Sequence, residues 1–121
     1  SCVLVSRVSR EKTFVSLDNI VEEIEKALAA VHNELYERAK KNLEEKTSVA
    51  TTKEEFLDIA ENRSGFIKAM WCGDVECEDA LKEETGGVKS RCIPFVEEKL
   101  GDVCVCCGKP AKHMVVWGRQ Y

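Results

Sequence analysis

Phe66-Ile-Lys-Ala-Met-Trp-Cys-Gly-Asp-Val-Glu-Cys77, read together with Cys104-Val-Cys-Cys107-Gly108, sets the frame for the rest of the chain. Phe66 to Trp71 is a dense apolar run with one lysine inside, which reads as a central strand. It ends on Cys72, so a thiol stands at a strand terminus, where a sheet holds it rigidly. Asp74 starts a helix to about Glu84, with Val75, Ala80 and Leu81 facing in. Cys77 then lies in the first turn, where free N–H groups and the helix dipole favour a thiolate. Cys72 and Cys77 have the spacing C-x4-C. Cys104 and Cys107 form C-x-x-C, and Gly108 can take the positive φ that such a turn needs. Two such pairs, about a helix and a strand apart, can place four thiolates around one tetrahedral metal. A soft divalent ion bound only by sulfur leaves no position for water or substrate, so the pattern predicts structural Zn2+. Reduced buried cysteines or disulfides are the competing readings. Seven cysteines is an odd number, and no signal peptide is recognisable, which weighs against disulfides.

Three cysteines and one histidine remain near this pattern. Cys106 sits between Cys104 and Cys107 and reads as a bystander that could stand in for Cys107. Cys92, in Arg91-Cys-Ile-Pro-Phe95, and Cys2, in Cys2-Val-Leu-Val5, read as small core hydrophobes. His113 could replace one thiolate if Lys109 to Lys112 folded back tightly.

Outward from the cysteines, Gly86-Gly87 ends the helix. Lys89 to Phe95 is the next strand, Val96 to Asp102 a loop, and His113 to Trp117 a last strand. Arg119, Gln120 and Tyr121 are too polar and too few to extend the core, so they should project from the sheet edge. Upstream, Lys53 to Asn62 is a short helix capped by Thr51 or Thr52, and Thr47 to Thr52 is a linker or a short edge strand. The order from Thr47 is β-α-β-α-β-β, which predicts a two-layer α+β sandwich with helices on one face of a mixed sheet. Before it, Cys2 to Val8 and Thr13 to Leu17 read as a β-hairpin. Ser16 or Asp18 caps a long helix to about Lys46, with Ile20, Ile24, Ala27, Leu28, Val31, Leu35, Ala39 and Leu43 on one stripe. A chain that starts inside a strand looks cut from something larger, and a lone hairpin needs further packing. Two parts follow: residues 1–47 and residues 48–121.

The 121 residues carry a net charge of -4, with 33% charged and 44% hydrophobic residues, ordinary for a soluble globular chain. Charges are mixed along the chain. The absence of a basic stripe argues against a free-standing nucleic-acid binder. No apolar run is long enough to span a membrane. Reduced-looking cysteines without a leader suggest the cytosol.

Phe66-Ile-Lys-Ala-Met-Trp-Cys-Gly73, Arg91-Cys-Ile-Pro-Phe95, Cys104-Val-Cys-Cys-Gly-Lys-Pro-Ala-Lys112 and Trp117-Gly-Arg-Gln-Tyr121 together resemble the end of an archaeal/eukaryotic-type prolyl-tRNA synthetase. The likeness is dense over residues 47–121. It is looser over 1–46, which resemble the last hairpin and helix of that enzyme's anticodon-binding domain. The resemblance implies a class II aminoacyl-tRNA synthetase that charges tRNA-Pro with proline using ATP and Mg2+, cytoplasmic and homodimeric. Its catalytic motifs lie upstream of anything here, so this piece should not form the adenylate alone. It implies zinc on Cys72, Cys77, Cys104 and Cys107, in a domain that buttresses the catalytic and anticodon-binding domains. It also implies that the Tyr121 carboxylate approaches the catalytic domain. An independent zinc-binding interaction module is the alternative. A thiol enzyme is more remote, because metal binding would consume the thiolates.

Overall fold

The computed structural model describes residues 1–120. The chain divides into two compact units, one from Ser1 to Asn42 and one from Leu43 onward.

In the first unit, β1 (Cys2–Val5) and β2 (Lys12–Val15) pair antiparallel, with Cys2 opposite Val15. A 3-10 turn (Leu17–Asn19) follows, and the Ser16 hydroxyl accepts the Asp18 N–H at 3.3 Å. It leads into α1 (Ile20–Glu45), 26 residues long. Glu22 and Lys26, four residues apart on α1, form an ion pair at 2.8 Å. Both ends are exposed, so it contributes a few tenths of a kcal/mol at most. The apolar stripe exists, but no residue of α1 is buried. Leu4, Ile24, Leu28 and Val31 instead line an open groove against the hairpin. A helix of this kind gains its stability from a covered apolar face, and within this unit the cover is missing.

The second unit holds β3 (Thr47–Val49), α2 (Lys53–Asn62), β4 (Phe66–Trp71), α3 (Val75–Thr85), β5 (Val88–Cys92) and β6 (His113–Arg119). The sheet order is β3-β4-β6-β5. The β3–β4 pair is parallel and the other two are antiparallel, so the sheet is mixed as expected. Thr52 caps α2, its hydroxyl accepting the Glu55 N–H at 3.2 Å. Helix α2 packs on β4 and α3 on β5. Between helices and sheet lie Phe56, Ala60, Ile67, Ala69, Leu81, Val88, Val115 and Trp117. Trp117 is fully buried and meets Phe56 and Trp71 edge-on, at centroid distances of 5.6 and 6.4 Å. No helix among the described residues is long and apolar enough to cross a membrane.

Two expectations fail here, each for a local reason. Strand β5 ends at Cys92 rather than Phe95, and Cys92 is exposed rather than a core residue. Ser90 pairs with Trp117, but Cys92 pairs with Val116, so Arg91 is the extra residue of a β-bulge. A one-residue slip sends every later side chain to the opposite face. Cys92 therefore lands away from the helices. The second failure is Arg119, which continues β6 instead of projecting as a loose tail. Its guanidinium donates to the Ala60 carbonyl at 3.1 Å and the Thr85 carbonyl at 2.9 Å. It thereby ties the ends of α2 and α3 together, where a cation also suits the helix dipoles. Tyr121 lies outside the described residues.

The α2–β4 junction depends on Gly65. Its φ is +107°, and a Cβ there would sit 2.0 Å from the Lys46 carbonyl oxygen. That oxygen already accepts the Phe66 N–H at 2.8 Å. Gly65→Ala must therefore strain the backbone and give up the bond that begins the β3–β4 pairing. We expect a loss of about 2–4 kcal/mol in urea unfolding. A variant within about 0.5 kcal/mol of the parent would show that the junction is adjustable.

Candidate metal centre

Three separate segments bring four cysteines together. Cys72 follows the last residue of β4, Cys77 lies in the first turn of α3, and Cys104 and Cys107 flank a turn before β6. Their four sulfurs lie within 4.8 Å of one another. Cys72, Cys77 and Cys104 are buried, and Cys107 is exposed. The Cys72 Sγ–Cys77 Sγ distance is 3.7 Å and the Cys72 Sγ–Cys107 Sγ distance is 3.8 Å. A disulfide would need about 2.05 Å, and all seven cysteines are free. Four sulfurs at about 2.3 Å from one centre stand about 3.8 Å apart along each tetrahedral edge. Two thiols in ordinary contact can be equally close. The convergence of four is what a tetrahedral ion requires, and an all-sulfur set suits zinc.

The two outer ligand positions share one local design. Cys72 and Cys107 are each followed by glycine, Gly73 with φ +95° and Gly108 with φ +72°. Left-handed glycine turns the next N–H back toward the sulfur. The Asp74 N–H bonds the Cys72 sulfur, and the Lys109 N–H bonds the Cys107 sulfur. The sequence reading used Gly108 and missed Gly73, although the repeated Cys-Gly pair was visible. The Cys104–Cys107 turn is closed by Cys104 N–H to the Lys109 carbonyl at 2.7 Å and Gly108 N–H to the Cys104 carbonyl at 3.0 Å. It is anchored to the end of β4 through Val105 N–H to the Met70 carbonyl at 3.0 Å and Lys112 N–H to the Trp71 carbonyl at 2.8 Å. Val105 enters the core while Cys104 turns to the other sulfurs.

Asp74 caps α3 with its backbone only. Its carboxylate lies 3.6 Å from the Cys72 sulfur and 3.9 Å from Lys109 Nζ. The Trp71 indole N–H donates to the Asp74 carbonyl at 3.1 Å. Burial pushes the Cys72 and Cys77 thiols above the usual range. The Lys109 N–H draws the exposed Cys107 thiol down to about 7. A divalent cation reverses the effect of burial, because a coordinated thiol is deprotonated outright. The donor set therefore fits a metal, and burial alone would keep two of its thiols protonated.

Neither sequence alternative for the fourth ligand is drawn into the cluster. Cys106 is half-buried, outside the four-sulfur group, and packs against both the core and the cysteine cluster. Its thiol is raised first by burial. His113 faces Glu97 instead, with Nδ1 3.3 Å from the carboxylate. The same Glu97 oxygen accepts the Met114 N–H at 3.1 Å.

Residues 53–121 match the family described as prolyl-tRNA synthetase, C-terminal. A proline–tRNA ligase of Clostridium botulinum (strain Loch Maree / Type A3) is 57% identical over 119 residues, 98% of this chain and 25% of the relative. One from Lachnospira eligens is 52% identical over the same shares. Among solved structures, prolyl-tRNA synthetase from Cryptosporidium parvum, complexed with L-proline and AMP, superposes with a TM-score of 0.90. It is 31% identical, over 98% of this chain and 25% of that one. The chain thus spans about a quarter of the length of the relatives it matches.

Proposed function

The chain belongs to the prolyl-tRNA synthetase C-terminal family, and from that premise we propose that it is the zinc-bearing structural end of a proline–tRNA ligase. The supporting observation is that the family match over residues 53–121 contains a four-sulfur cluster of tetrahedral dimensions. In this reading Cys72, Cys77, Cys104 and Cys107 hold one Zn2+. Bound there, the ion supplies a cross-link and no chemistry on substrate, because all four positions are protein sulfur. The residues do the rest: β4 and α3 present two thiols, and the anchored turn presents two more. Residues 1–47 complete an anticodon-binding domain, whose missing portion covers the apolar groove beside α1. Residues 48–121 form the zinc domain.

The parent enzyme joins proline to tRNA-Pro with ATP and Mg2+, in the cytoplasm and as a homodimer. Those ligands are bound by the upstream part of the polypeptide. The chain's own role is to support the catalytic and anticodon-binding domains.

Elemental analysis of protein purified without added metal tests the centre, with about one zinc per chain expected. Folded protein with four freely alkylatable thiols at these positions would refute it. The 121-residue chain should give no proline-dependent ATP–pyrophosphate exchange, whereas the complete polypeptide should. Exchange by the short chain would move the catalytic site into it and overturn the reading.

A further inference from the structure

The sheet has two faces, and only one is covered by helices. On the other, the register aligns Val49, Lys68, Val116 and Cys92 in one row across all four strands. The neighbouring row runs Thr47, Phe66, Gly118 and Lys89. Further along β4 and β6, the pair Met70 and Met114 lies beneath the segment from Glu97 to Asp102, and Met114 is buried. Apart from Glu98, which reaches Lys68, that segment does not line the groove over the other two rows. They form an open groove with Val49 48% and Phe66 39% exposed, and with Cys92 at its edge. Ile93 and Phe95 continue the exposed apolar surface beyond β5.

Two of the cations on this face already have partners. Lys68 pairs with Glu98 at 3.2 Å. Arg91 donates twice to the Gly118 carbonyl, at 3.1 and 3.0 Å. Covering the groove leaves both sets of bonds in place, Lys89 stands outside the groove lining, and the apolar row gains by burial. The Phe66 ring lies over Gly118, where an added Cβ would stand 3.1 Å from it. That leaves an open apolar floor, and Leu43, Glu44 and Arg91 also line the groove. A floor of this kind fits a protein surface better than a small ligand.

We propose that this open half-face is where the upstream part of the same polypeptide docks. The inference rests on the reading of the chain as the end of a proline–tRNA ligase. The relatives are about four times as long as this chain, and the matching family is their C-terminal one. The occupant is therefore tethered, and a tether supplies an effective concentration in the millimolar range that a free second copy lacks. The Arg91 bulge, which turns Cys92 onto this face, supplies a reporter at its rim.

The test is the alkylation rate of Cys92, followed by peptide mass mapping. It compares the complete zinc-loaded polypeptide with the 121-residue chain at two concentrations. Cys92 should react at least about tenfold more slowly in the complete polypeptide, a loss of access in keeping with a buried interface. Its rate in the short chain should not depend on concentration. Val49→Asp should restore the fast rate in the complete polypeptide without changing its zinc content. Equal rates in both proteins would overturn the proposal, as would protection in the short chain that fades on dilution, the sign of self-association. Proline charging of tRNA by the same complete polypeptide tests the underlying reading separately, so a failed face and a failed family role give different results.

Discussion

Cys72→Ser and Cys107→Ser are expected to lose zinc and to melt about 15–25 °C below the parent, whereas Cys106→Ser stays within a few degrees. An ion held by the four sulfurs would close the loop between Cys77 in α3 and Cys104 in the turn before β6. By analogy with a covalent cross-link, closing such a loop contributes about 3–4 kcal/mol. In a domain of this size each kcal/mol moves the melting point by about 4–8 °C. Losing Cys107 should matter even though that residue is exposed, because it is the fourth sulfur of the cluster. Losing Cys106 removes only packing from a side chain that stands outside the group. The readout is clean: the chain's two tryptophans, Trp71 and Trp117, both belong to the second unit. Tryptophan fluorescence therefore reports the melting of that unit alone, and Trp71 packs directly on the cysteine cluster. A Cys106→Ser variant that falls as far as Cys107→Ser would reassign the fourth ligand.

Trp117→Ala should cost about 3–5 kcal/mol, the usual loss for emptying a large aromatic site in a core. Trp117 is fully buried, and both neighbouring rings pack against it edge-on. Two effects oppose each other in Trp117→Phe. The smaller ring leaves a gap, but it also removes the Nε1 hydrogen, which has no hydrogen-bond partner among the described residues. A buried unpaired donor costs about 1–3 kcal/mol, so the phenylalanine variant should lose far less than alanine. Urea unfolding followed through Trp71 decides the matter. Equal losses would mean that the indole N–H is satisfied in solution.

Most of the second unit was legible in the sequence because its signals are local. Thr52 before Lys53, the apolar run ending at Trp71 and Gly86-Gly87 after α3 each mark a boundary by their own chemistry. The cysteine spacings brought out the same four sulfurs that converge in the structure. What escaped depends on pairing between distant strands. Nothing within Lys89-Ser-Arg-Cys92 announces a bulge; it appears only when those residues are set against Val116 and Trp117. Cys92 was therefore assigned to the wrong face. Arg119 looked like a polar tail because its partners, the carbonyls of Ala60 and Thr85, are far away in sequence. For α1 the periodicity was correct, but a stripe shows which side wants cover, not whether the cover is present.

The strand order carries a consequence for how the polypeptide is made. β6 comes last in the sequence yet lies between β4 and β5, and it supplies both antiparallel pairings of the sheet. Until residues up to Arg119 are available, β5 has no strand beside it and β3–β4 is a lone parallel pair, a form that is not stable by itself. The turn with Cys104 and Cys107 also emerges late, just ahead of β6. During synthesis, then, Cys72 and Cys77 appear well before their two sulfur partners, and the sheet and the four-cysteine cluster can only assemble together, once β6 is available.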